Sequence, residues 1–391
     1  RIIIVGGGTA GWMAAAALSR IKAGRAVEIT LIESEAIGTV GVGEATIPPF
    51  VGFNDLLGIK ESEMLAAVGG TFKLGIQFEN WGKLGDSYIH PFGAYGYTMG
   101  GISFHHVWHR MNKAGDKRPI QVFNLETMAA YFGKFARTED FKRDDLPPVN
   151  YAYHLDAAKF AQLLTKHGTE QLGVRHIKAK VQQVSTAVDG SIAGVHTDTA
   201  GCLQADLYVD CSGFQALLLG EALQVGFTAK NDVLFCDSAI AVQVPYADDN
   251  TPLACSTLAT AQDAGWVWDI ALPSRRGVGY VYSSRYCDKE QAELTLGRYL
   301  GVPADTLSMR HIPMQVGYRQ RFWQHNCVAI GLSQGFVEPL EATGLLVYDA
   351  SARMLADILP AHKAQFAAAA EQFNLQVKQA WDKVIDFIKL H

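Results

Sequence analysis

The sequence predicts an α/β protein built around a parallel sheet that begins at the N-terminus. Three observations carry this expectation. A β-branched run, "IIIV", leads through a glycine turn into an alanine-rich, helix-like run, "GWMAAAALSRI". A second apolar strand, "AVEITLIES", follows where a βαβ unit needs one. The strand-to-glycine-turn pattern then returns at "LYVDCSGFQALL" (Leu207 to Leu218) and at "CVAIGLSQGFVEPLEATGLLVY".

In the first unit, Gly6, Gly8 and Gly11 stand in G-x-G-x-x-G spacing, with Thr9 and Ala10 between the last two. The first glycine makes the turn, the second lets backbone approach a pyrophosphate, and the third lets helix pack on strand. The helix start supplies free N–H groups and a positive dipole end. Glu33 ends the second strand, about 20 residues on, where a carboxylate accepts ribose hydroxyls. The competing reading is a glycine-rich turn in an ordinary βαβ unit. FAD and NAD share this fingerprint. Only one such turn is present, and the two later strand ends fit one long cofactor at the sheet's carboxyl edge, so FAD suits the chain better.

Composition removes other classes. With 391 residues, an apolar share of 49% and a charged share of 19%, the chain is globular and long enough for two lobes. A formal charge of −5 without a basic run disfavours nucleic acid. No apolar run reaches the roughly 18 residues of a membrane span. The six cysteines are scattered with no C-x-x-C pair, which suits reduced thiols and a cytoplasmic location. The glycine turn argues against reading the start as a signal peptide. The chain begins at Arg1 rather than Met, so residues are expected to precede it.

Two motifs invite other chemistry. "GLSQG" (Gly331 to Gly335) matches the G-x-S-x-G elbow of serine hydrolases, with Ser333 as nucleophile. Only His362 and His391 follow it, and Pro339 interrupts the helix that should begin at once, so this reading is minor. In "SFHHVWHR", His105 and His109 have the i, i+4 spacing of metal ligands, but no H-E-x-x-H or acidic third ligand accompanies them. Packing beside a substrate cavity is the expectation there, and no metal is expected. In "AGWVWDIALPSR" (Ala264 to Arg275), Trp266 and Trp268 share one face of a strand. They are either core or a wall that separates two compartments.

Five segments occur in order: "VGGGTAGWMAA", "GVGEATIP" (Gly41 to Pro48), "FKLGIQFENW" (Phe72 to Trp81), "GWVWDI" (Gly265 to Ile270) and "GFVEPLEATG" (Gly335 to Gly344). Together the chain resembles the flavin-dependent halogenases of the tryptophan/indole type, over nearly its whole length. The resemblance implies an FAD-dependent monooxygenase-like fold, with a Rossmann-type FAD lobe and an interleaved substrate lobe. It implies reduced FAD from a separate flavin reductase, with chloride or bromide oxidised to hypohalous acid. An aromatic substrate of indole type would be halogenated away from the flavin. A flavin-dependent aromatic hydroxylase is the alternative.

By that resemblance Lys73 is the family's essential lysine, which holds hypohalous acid or carries it as a haloamine. Taken alone, a lysine between apolar residues reads as a snorkelling surface residue. Glu341 matches the catalytic glutamate, which polarises the oxidant or removes the ring proton, and Glu338 is the neighbouring structural carboxylate. Thr343 and Gly344 match backbone N–H groups that hold halide. Trp266 and Trp268 match the signature that bars organic substrate from the flavin, although Ala271 stands where the family has proline. Ala342 stands where tryptophan-specific members often have serine. Glu44 and Ala45 fall on the strap that contacts FAD, and the expected FAD contacts include Val181, Leu332 and Leu345. His90 and Phe92 match a His-x-Phe that sandwiches the substrate ring, with loop packing the competing reading for His90.

The FAD lobe is expected to take about 1–90, 150–230 and 325–391, and the substrate lobe about 91–149 and 231–324. "RTEDFKRDDLPPVN" (Arg137 to Asn150) reads as a charged surface loop. Near the end, Phe366, Phe373, Val377, Trp381, Val384 and Ile388 form a helical core stripe. The chain stops at "DFIKLH", where family members continue into a part that closes the substrate site. A loosely closed site is expected to accept indole as readily as tryptophan and to favour bromide.

Overall fold

The structure is a computed structural model and describes residues 1–24, 26–35, 43–138, 148–248 and 250–391. Gly41 and Val42 of the strap segment, and most of the charged Arg137–Asn150 segment, lie outside the described residues.

Five short strands make the first sheet parallel. Cys327–Ala329, Leu207–Asp210, Ile2–Val5, Ile29–Glu33 and Arg175–Lys178 lie side by side, and Trp323–Gln324 closes one edge antiparallel. Ile2–Val5 and Leu207–Asp210 are buried throughout, as strands covered on both faces must be. The helix Thr9–Ile21 buries every residue from Gly11 to Leu18. Its alanines let the helices Ala157–Glu170 and Thr343–Ile358 pack closely on it. At the contact with Trp12, Gly168 has no room for a side chain, since a Cβ would stand 2.9 Å from the indole.

The second sheet has seven strands, in the order Arg310–Pro313, Ser238–Pro245, Arg275–Tyr282, Gly265–Ala271, Thr257–Gln262, Gly75–Glu79, Ser87–Pro91. Only Thr257–Gln262 and Gly75–Glu79 pair parallel within it. Strand alternation sorts its side chains. Trp266, Trp268 and Ile270 join the main core, whereas Val267 faces a separate cluster with Val278, Tyr280 and the helix Lys289–Leu300. The shared face expected for the two tryptophans is therefore the one toward the first sheet's core.

A small sheet joins the two: Gly43–Ala45, Ala152–Asp156 and Thr71–Lys73, with the middle strand antiparallel to both neighbours. Gly43 abuts Gly277 of the second sheet, where a Cβ on Gly277 would stand 3.0 Å from the Gly43 nitrogen. This junction brings Lys73 to the site.

Two expectations are corrected. On the helix Phe366–Lys389 the buried stripe runs Phe373, Val377, Trp381, Ile385 and Ile388. Steps of four keep Ile385 on the stripe and turn Val384 to its flank, where it is only partly buried. His105 and His109 lie on the helix Phe104–Lys113 but are exposed, so they pack in no cavity. No helix among the described residues is long and apolar enough to cross a membrane.

Candidate active site

The glycine turn has the shape its spacing requires. Gly6 has φ +118°, and a Cβ there would stand 2.1 Å from the Cys211 carbonyl oxygen. A Cβ on Gly11 would stand 1.9 Å from the Gly6 oxygen. At Gly8, by contrast, no heavy atom of the described residues lies within 4 Å of the Cβ position. The helix Thr9–Ile21 that starts there has no side-chain cap and no acid in its first turn. Free N–H groups beside an open glycine face suit a pyrophosphate. Glu33 folds over the turn, since a Cβ on Gly7 would stand 2.2 Å from its carboxyl carbon. Its Oε2 lies 2.9 Å from His176 Nε2. Gly331 brings the third strand's loop against the same turn, 2.5 Å from the Ala10 Cβ at its own Cβ position. These residues fit a dinucleotide.

Leu332 of that loop is half-buried, and Leu345 is buried in the core. Val181 lies on the strand Val181–Thr186 and packs against the cluster of Ile3, Val5 and Ile32. Glu44 and Ala45 sit on the small sheet, paired with Leu155 and His154. Burial, reinforced by Asp156, pushes the Glu44 carboxyl up to about 7.

Lys73 ends the neighbouring strand and is 0% exposed, so the snorkelling alternative does not hold. Its Nζ donates to the Thr46 carbonyl at 3.0 Å and lies 5.3 Å from the centre of the Phe92 ring. Burial pulls its pKa down to about 7, opposed by the negative Glu341. The strand before it is pinned by His154. That ring lies between the Thr71 hydroxyl at 3.2 Å and the Thr257 hydroxyl at 2.9 Å. Thr71 spends its proton on the Ala271 carbonyl, so it accepts from His154 Nδ1–H.

Trp266 and Trp268 are both buried. Trp268 lies flat over Gly279, its partner in register, where a Cβ would stand 2.1 Å from the indole. Trp266 Nε1 donates to Glu338 Oε2 at 2.7 Å. Glu338 is thus the anchor of Trp266, and burial raises its pKa. That anchoring was not legible from the sequence.

Glu341 is 5% exposed and lies just ahead of the helix Thr343–Ile358. Ala342 takes a left-handed φ of 54°, which turns the chain sharply between Glu341 and the helix. The helix start has no side-chain cap, so the N–H groups of Thr343 and Gly344 sit at its positive end. Two histidines address one oxygen of Glu341: His90 Nδ1 at 2.9 Å and His391 Nε2 at 2.8 Å from Oε1. Burial pushes this carboxyl up, but the hydrogen bonds from His391 and His90 outweigh it and hold it below its ordinary value. His391 is a site residue that sequence reasoning did not single out. It lies far along the chain from Glu341, and no local motif marks it. Among the described residues, the ligand atoms of His90, Glu341 and His391 all lie within 4.8 Å of one another. Both nitrogens lie at hydrogen-bond distance from the same oxygen, so each ring can share a proton with it.

Ser333 corrects the hydrolase reading. It is 1% exposed, and its hydroxyl donates to the Asp210 and Ile330 carbonyls. The helix that should follow a nucleophile at once begins only at Thr343. Ser333 stitches two strand ends together.

The chain matches known proteins over its whole length. The tryptophan halogenase family model matches residues 1–391. The tryptophan 6-halogenase SttH of Streptomyces toxytricini is 36% identical, covering 100% of this chain and 77% of its own length. The structure of a tryptophan halogenase from Shewanella frigidimarina superposes with a TM-score of 0.92 at 39% identity, over 100% of this chain and 76% of that one. Xcc4156, a flavin-dependent halogenase from Xanthomonas campestris, gives a TM-score of 0.91 at 40% identity, over 100% and 77%.

Proposed function

Because the chain belongs to the tryptophan halogenase family, and so to the flavin-dependent enzymes that halogenate aromatic substrates, we propose that it works through hypohalous acid passed to Lys73. The buried amine of Lys73 is the observation that carries this reading: 0% exposed, with its pKa drawn to about 7 by burial. At neutral pH a large share of it is the free amine, which is nucleophilic.

FAD is the proposed cofactor, reduced by a separate flavin reductase; when bound and reduced it supplies the oxidation of halide with oxygen. Gly6, Gly8, Thr9, Ala10, Gly11 and Glu33 would hold it, with Glu44, Ala45, Val181, Leu332 and Leu345 as further contacts. Thr343 and Gly344 would orient chloride or bromide by their backbone N–H groups. Lys73 then either donates a hydrogen bond to hypohalous acid or reacts with it, forming N–halogen and releasing water. The substrate ring takes the halogen as the N–halogen pair returns to nitrogen, which takes up a proton from solvent and is the free amine again. Glu341 takes the ring proton as the C–H pair restores aromaticity. Trp266 and Trp268 are the barrier that keeps an aromatic ring from the flavin, and His90 and Phe92 are the proposed contacts of that ring.

The substrate is proposed to be an indole-type aromatic, with bromide preferred because it is oxidised more easily than chloride. The test supplies reductase, FAD and both halides to indole, tryptophan and a larger phenol in competition. Brominated product as the main mass supports the reading. Hydroxylated product without halogen would favour the aromatic hydroxylase, and clean chlorination of tryptophan at one position would sink the halide and substrate preferences.

A further inference from the structure

We infer that His391 is a positioning residue for Glu341, holding one carboxylate oxygen and its charge so that the other oxygen stays free to take the ring proton. The inference rests on the proposed halogenation and adds a residue to it.

The geometry assigns the protons. His391 Nδ1 lies 3.1 Å from the Phe387 carbonyl oxygen, which can only accept, so Nδ1 carries a hydrogen. Its Nε2 lies 2.8 Å from Glu341 Oε1. With Nδ1 already protonated, a second proton at Nε2 makes the ring an imidazolium facing a carboxylate. The alternative places that same proton on the carboxyl group. One proton is therefore held between the two groups, and an ion pair of this kind forms a charge-assisted hydrogen bond.

The ring packs against three aromatic side chains. It stacks on Phe78 at 5.1 Å and 27°, meets Trp81 edge-on at 6.3 Å and Phe387 at 5.4 Å, and its side chain is only 11% exposed. His90 approaches the same oxygen, but its side chain is 46% exposed. Two donors thus occupy Oε1, while among the described residues no hydrogen bond engages Oε2. A base needs this asymmetry, with one oxygen fixed and the other available. The other titratable groups facing the pair are Lys73, Tyr88, His90 and Glu338. Lys73 and the two histidines favour the carboxylate, and Glu338 favours the charged His391.

Two variants of the full-length enzyme test this. His391→Asn keeps a neutral donor, and His391→Phe keeps the stack without any donor. Loss of the charged partner raises the Glu341 pKa, so the acid limb of kcat moves to higher pH in both. At neutral pH, His391→Phe is expected to lower kcat about ten-fold with an almost unchanged KM, and His391→Asn to recover part of that loss. A second readout needs no turnover: the ring ¹⁵N signals missing from His391→Asn should show an imidazolium persisting above the ordinary histidine pKa. An acid limb unmoved in both variants, or a neutral His391 ring at pH 6, would overturn the inference while leaving halogenation standing. Absence of any halogenated product from the wild-type enzyme would overturn the functional reading, and the ¹⁵N titration would still decide the ion pair.

Discussion

Burying an ammonium is costly unless the group sheds its proton, and Lys73 is the residue on which that cost falls. Its neighbours supply a carbonyl at Thr46 and an aromatic face at Phe92, neither of which replaces a full hydration shell. Lys73→Ala is expected to lower halogenation by at least about 100-fold while FAD binding and oxygen-dependent flavin reoxidation continue. Product yield measured beside flavin reoxidation checks this; loss of FAD binding would make the lysine structural. Stability carries a second signature. The folded lysine releases its proton from about 7, whereas the unfolded one keeps it to near the ordinary lysine value of 10.5. Between those values the unfolded chain binds more protons, so this group makes stability rise with pH. Lys73→Met should remove that rise, read as the difference from wild type in urea melts between pH 7 and 10. Glu338 is the quieter case at this scale. Glu338→Leu leaves the buried Trp266 N–H without its partner, at a cost of about 1–3 kcal/mol, and thermal melts would register it.

Elements place these residues through close backbone approaches. Within the glycine turn, Gly6 and Gly11 are held by neighbouring backbone, whereas Gly8 opens onto space with an ordinary φ of −72°. Gly8→Val is therefore expected to leave the melting temperature nearly unchanged and to abolish FAD retention, seen in a flavin fluorescence titration. Gly11→Val should instead destabilise the fold, because its Cβ meets the Gly6 carbonyl. A Gly8→Val protein that retains flavin would show that the open face is not the cofactor's. In the second sheet Gly279 plays a different part, giving Trp268 the space to lie flat. Gly279→Val is expected to cost about 1–3 kcal/mol by overpacking and to displace the Trp268 ring.

Across the whole molecule, the small sheet is the part that joins the chemistry. The first sheet presents the glycine turn, the second presents the tryptophan pair and His90, and Thr71–Lys73 lies between them. If the tryptophan pair is a barrier, Trp266→Ala with Trp268→Ala should let substrate reach the flavin and divert product from halogenated to hydroxylated, read by mass. An unchanged product ratio in a folded double variant would leave the pair as core alone.

Much of this was legible in the sequence because its signals are local. The βαβ unit declares itself by a β-branched strand, a glycine turn and an alanine helix, and Trp266 and Trp268 declare a common face by a two-residue period. Lys73 and Glu341 stood out only through the family likeness, since a lysine beside apolar residues has no local mark of burial. The tertiary structure alone decided the rest. Lys73 is buried because its strand pairs with the distant residues 152–154 and its amine is held between the Thr46 carbonyl and the Phe92 ring. Ser333 is inert because the distant Asp210 carbonyl, with the nearby Ile330 carbonyl, takes its proton. His391 meets Glu341 because a long helix carries it back across the second sheet's edge. Hydrogen bonds and burial between residues far apart in the chain leave no period or spacing in the sequence, so packing had to set them.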